Sequence, residues 1–132
     1  MFEQPLPKID IEGVWSGHYA YRTFFGVTIQ RPVNFTAVFK NEGGTLSGQI
    51  YEPNTFGRGE AEHLEADILN LSVSEDGAVR FTKKYSGMGG AHHKVEYEGR
   101  LSQDGATISG TWRISWLGSG TFEIQKEDLT QK

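Results

Sequence analysis

The stretch Lys94-Val95-Glu96-Tyr97-Glu98-Gly99-Arg100-Leu101 alternates without a break: every second residue is charged, and those between are apolar or glycine. Successive side chains of a strand point to opposite faces, so this pattern predicts a strand with one wet face and one buried face. Gln103-Asp104-Gly105 supplies a turn. Thr107-Ile108-Ser109-Gly110-Thr111-Trp112-Arg113-Ile114 then takes up the same period, with Ile108, Gly110, Trp112 and Ile114 on one face.

Working outward, the period of two divides the chain into eight strands. Gly13 to Tyr21 is the first. Pro32 to Lys40 is the second, with Val33, Phe35, Ala37 and Phe39 on one face. The turn Asn41-Glu42-Gly43-Gly44 leads to the third, Thr45 to Tyr51. The fourth lies within Glu65 to Val73, and Ser74-Glu75-Asp76-Gly77 turns into the fifth, Ala78 to Tyr85. After the sixth and seventh, described above, Trp116-Leu117-Gly118-Ser119 leads to the eighth, Gly120 to Gln125. Short turns make sequence neighbours spatial neighbours, which is a meander. A long meander with one buried face removes its edges by closing on itself, and eight strands close around a space that side chains fill or that holds one small ligand. The expectation is one all-β domain over residues 1–132, an eight-stranded antiparallel up-and-down barrel with an N-terminal arm (1–11) and a frayed tail (126–132). A β-sandwich is the second choice, because only Glu52 to Leu64 offers a long crossing connection.

Composition narrows the function classes. A chain of 132 residues without cysteine has no disulfide, thiol chemistry or thiolate metal site. The net charge is −4 and the basic residues are scattered, so no basic stripe exists to neutralise phosphates and no nucleic-acid partner is expected. The N-terminus lacks the charged and apolar regions of a signal peptide, and no apolar run reaches the roughly 20 residues that span a bilayer, so no membrane partner and a cytoplasmic location are expected. No cofactor motif is present and none is expected.

Gly13-Val14-Trp15, just ahead of an alternating strand, resembles the Gly-x-Trp that opens the first barrel strand of lipocalins and avidins. Leu46-Ser47-Gly48 after a glycine turn is similar to the third strand of avidins, and Gly110-Thr111-Trp112 is a second Gly-x-Trp. The resemblance implies a calycin-type barrel with a ligand pocket at one mouth. It does not imply biotin.

The inward rows collect Trp15, Tyr19, Tyr21, Phe35, Phe39, Phe81, Tyr85, Tyr97 and Trp112. Apolar walls with a few placed hydroxyls describe a ligand pocket, and buried phenols seek partners. The same rows equally describe a filled core, and glycines at 17, 48, 99 and 110 on them would then serve close packing rather than a cavity wall. Lys83 shares a row with Val79, Phe81 and Tyr85. Lysines snorkel, which favours an amine in water at the mouth. If the amine points inward instead, it needs a partner or loses its charge, and it could then hold a carboxylate ligand or form a Schiff base. His18, His63, His92 and His93 lack metal-ligand spacing, and adjacent His92 and His93 would point to opposite faces of a strand, so no metal is expected. Glu96 and Glu98 share a face with Lys94 and Arg100 and read as a solvated, ion-paired surface.

Phe24, Phe25, Trp116 and Leu117 are unusually apolar for connections and are the candidates for a lid or a homo-oligomer contact. With no coherent catalytic set, the expected function is non-enzymatic binding of a small lipophilic or cyclic molecule at an aromatic-lined mouth, through Trp15, Tyr19, Tyr21, Phe35, Lys83, Tyr85, Tyr97 and Trp112. The alternative is a structural or self-assembly module with a filled barrel.

Overall fold

The computed structural model describes residues 9–22, 32–53, 63–85, 94–114 and 118–128. Eight strands run in chain order: β1 (Gly13–Tyr21), β2 (Val33–Glu42), β3 (Thr45–Pro53), β4 (His63–Val73), β5 (Ala78–Tyr85), β6 (Lys94–Leu101), β7 (Thr107–Ile114) and β8 (Gly118–Lys126). Each pairs antiparallel with its neighbour in sequence, and β8 returns to pair with β1 from Trp15↔Lys126 to Tyr21↔Gly120, closing the barrel. The expected meander barrel is therefore the fold, and the sandwich is not. Among the described residues, no helix is long and apolar enough to cross a membrane.

Alternation is kept most cleanly in β6, where Val95 and Tyr97 are buried while Lys94, Glu96, Glu98 and Arg100 are exposed. β4 shows why one strand has no single inward row. Leu69 pairs with Thr82 and Ser72 with Arg80, so two residues, Asn70 and Leu71, stand against Phe81 alone. That is a β-bulge. It switches the inward row from the even positions Leu64, Ala66 and Ile68 to the odd positions Leu71 and Val73, and keeps these five side chains against the core while Leu69 stays on the outer row. Asn70 turns the corner with φ of 55°, a left-handed conformation that asparagine tolerates better than most residues.

The two ends of the barrel differ. Short turns at Gly43–Gly44, Glu75–Gly77 and Gln103–Ala106 close one end. There Ile11, Trp15, Phe39, Ile108 and Ile124 are almost wholly buried, and Trp15 Nε1 donates to the carbonyl of Ile11 at 2.9 Å. Ile11, the last residue of the expected N-terminal arm, is thus part of the core. At the other end of the chain, β8 extends through Lys126, and Glu127 N donates to the Val14 carbonyl at 2.8 Å, so the tail starts later than expected. The opposite end of the barrel, where β1, β3, β5 and β7 finish and β2, β4, β6 and β8 begin, is labelled the mouth.

The glycines on the inward rows serve packing. Gly99 and Gly110 face each other across β6 and β7, and a Cβ on Gly110 would run into the carbonyl of Glu98. A Cβ on Gly99 would lie 2.8 Å from the Phe122 ring. Bare backbone at these points lets large rings fill a narrow barrel.

Candidate functional site

The inward row of β3 runs Gly48, Ile50, Glu52, and that of β5 runs Val79, Phe81, Lys83, Tyr85. Both rows end at the mouth. β4 stands between the two strands, and its inward Ala66, in register with Ile50 and Tyr85, contributes only a methyl group. Glu52 and Lys83 meet across it. Lys83 Nζ lies 3.2 Å from Glu52 Oε2, and the two side chains are 3% and 0% exposed. The other carboxylate oxygen, Oε1, accepts hydrogen bonds from the Tyr85 hydroxyl at 2.8 Å and the Tyr19 hydroxyl at 3.2 Å. The ammonium also sits over three rings, those of Tyr85 (4.7 Å to the centroid), Tyr19 (4.8 Å) and Tyr97 (5.5 Å). A cation so placed is held by ring quadrupoles as well as by the carboxylate.

Burial dominates the electrostatics. It acts against the charged amine and holds Lys83 below the ordinary lysine range, while the charge and hydrogen bond of Glu52 pull the other way. Burial, reinforced by the Glu52 charge, pushes the phenols of Tyr19, Tyr85 and Tyr97 well above the ordinary tyrosine value, so all three keep their protons at neutral pH. Tyr21, closer to the rim, shifts the same way for the same reasons.

An aromatic wall continues the site. Trp112 packs edge-on against Tyr21 (centroids 5.0 Å apart) and Tyr19 (5.9 Å), and its Nε1 donates to the Ala20 carbonyl at 3.1 Å. Gly120 lies beneath this ring, where a Cβ would come within 2.7 Å of it. Below, Tyr97 stacks on Phe81 with centroids 4.8 Å apart and planes within 8° of parallel.

The structure therefore gathers Tyr19, Tyr21, Lys83, Tyr85, Tyr97 and Trp112 at the mouth end. Phe35 packs on Tyr19 at 5.8 Å within the core. Trp15 is not at the mouth; it is sealed into the closed end at 0% exposure, too deep for a ligand entering from the other side. Lys83 does not snorkel, because Glu52 and the tyrosine rings give its ammonium an internal partner. Glu52 is absent from the sequence-derived set, since the third strand was expected to stop at Tyr51. The signal was one step further on: the row Leu46, Gly48, Ile50 continues to position 52, and an acid there faces a base on the inward row of β5.

Other candidates resolve differently. Arg80 Nε lies 3.0 Å from Glu98 and Thr82 Oγ1 3.1 Å from Glu96, which makes that face the ion-paired outer surface expected. A depression of about 580 Å³ between these residues and Arg113 is open to solvent. His18 is exposed, and among the described residues no group of three or more His, Asp or Glu side chains is placed to hold a metal. Phe24, Phe25, Trp116, Leu117, His92 and His93 lie outside the described residues. No protein-family model matches the chain, and no curated protein matches it in sequence.

Proposed function

We propose that the protein is a binding barrel of the calycin type that takes a small, partly apolar molecule at its mouth. The observation carrying this reading is the buried Glu52–Lys83 pair with its tyrosines, set at the mouth of an otherwise apolar barrel. Two charges removed from water lose more hydration than their attraction returns, and apolar residues of similar volume are usually as stable or more so. A packed core has no need of such a pair. A pocket does, because a few fixed polar groups on aromatic walls orient a ligand. The Gly-x-Trp opening of β1, with its tryptophan closing the far end, supports the avidin-like or lipocalin-like reading of the barrel.

Tryptophan emission of the full chain, titrated with neutral lipophilic and cyclic molecules, is expected to change saturably, and the change is expected to be lost in Trp112→Phe. A panel without any saturable response, together with a crystal structure showing a solidly filled mouth, would overturn the reading in favour of a structural module.

A further inference from the structure

Among the described residues, the cluster at the mouth is balanced in charge: the Lys83 ammonium faces the Glu52 carboxylate, and the phenols of Tyr19 and Tyr85 donate to that carboxylate. A charged ligand would leave one charge buried without a counterpart, which a low-dielectric interior penalises heavily. A neutral polar ligand keeps the balance. Among the described residues, Lys83 Nζ meets one carboxylate oxygen, Glu52 Oε2, and lies over the rings of Tyr19, Tyr85 and Tyr97. The same carboxylate accepts from Tyr85, whose side chain is only half-buried toward the rim. The site thus holds an amine, a base within hydrogen-bond reach of it and a phenol that shares the base, all against an apolar wall.

We infer that Lys83 is a carbonyl-capturing amine, forming an imine with a neutral, partly apolar aldehyde that enters the mouth. The inference rests on the binding reading above and names the class of ligand for that site. Burial of the amine, which disfavours its charged form, supports it.

The steps balance. A proton passes from Nζ to Glu52 Oε2, leaving a neutral amine beside a neutral carboxylic acid. The nitrogen lone pair forms a bond to the carbonyl carbon while the C=O π pair moves onto oxygen. One proton leaves the cationic nitrogen for that oxygen, with the Tyr85 hydroxyl placed to relay it, and a neutral carbinolamine results. Glu52 then returns its proton to the new hydroxyl, the C–O bond breaks, water departs and the nitrogen lone pair completes the C=N bond. The product iminium faces a carboxylate as the ammonium did. One aldehyde is consumed and one water released, with no oxidant or reductant.

The test treats the native full chain with benzaldehyde and cyanoborohydride at neutral pH and maps the reduced adducts by peptide mass spectrometry. Lys84, the exposed neighbour of Lys83 on β5, is the internal reference. Amines attack carbonyls through their neutral form, so the buried Lys83 beside its base is expected to carry more adduct than Lys84. In urea-unfolded chain the two should react alike. Equal labelling in the native protein, or labelling that spares Lys83, overturns the inference. Benzyl alcohol, similar in shape but without a carbonyl, separates the two readings. If it changes tryptophan emission saturably while Lys83 stays unlabelled, imine formation falls and the binding reading stands. If neither binding nor labelling is seen, both fall.

Discussion

Glu52 and Lys83 form one buried unit, with Nζ 3.2 Å from Oε2 across β4. The energetic consequence belongs to the two residues together. Removing one partner leaves the other charged and buried, so Lys83→Met and Glu52→Leu are each expected to cost about 3–5 kcal/mol. The double variant Glu52→Leu/Lys83→Met removes both charges and is expected to recover most of that loss. Denaturant unfolding of the four proteins in a double-mutant cycle checks this. Additive losses would mean that the two side chains do not meet inside the barrel.

At the level of elements, turn chemistry and period two located nearly every strand, because Gly-containing hairpins and alternating side chains are local properties. The bulge in β4 is local as well, and its trace is a change of parity. Leu64, Ala66 and Ile68 are followed by Leu71 and Val73, which no regular strand can bury on one face. What the sequence did not specify was which residue would absorb the extra unit. Asn70 does so in the left-handed region. Asn70→Gly is expected to be neutral within a few tenths of a kcal/mol, while Asn70→Val is expected to cost about 1–2 kcal/mol through the clash of its branched side chain in that conformation. Thermal or urea denaturation distinguishes the two. Equal stability of the variants would contradict the assignment of the bulge corner.

For the whole molecule, the contrast between the two ends carries the functional argument. Short turns and large apolar side chains seal one end, where Trp15 and Ile11 lock together. The buried charges and phenols collect toward the other, where β1, β3, β5 and β7 finish. The aromatic rows were legible in the sequence, but the depth of each ring along the barrel axis was not. Alternation tells which face a side chain takes and says nothing of how far along the barrel axis it lies relative to other strands. Register supplies that depth, and it separates Trp15 from Tyr19, Tyr97 and Trp112. In the proposed function, ligand enters at the mouth and stops above the sealed core. Amide chemical-shift mapping of the full chain during titration with benzyl alcohol locates it. Saturable shifts are expected at Tyr19, Glu52, Lys83, Tyr97 and Trp112, with Trp15, Ile108 and Ile124 unmoved. Shifts confined to the outer face around Arg80 and Glu98, or none at all, would contradict it.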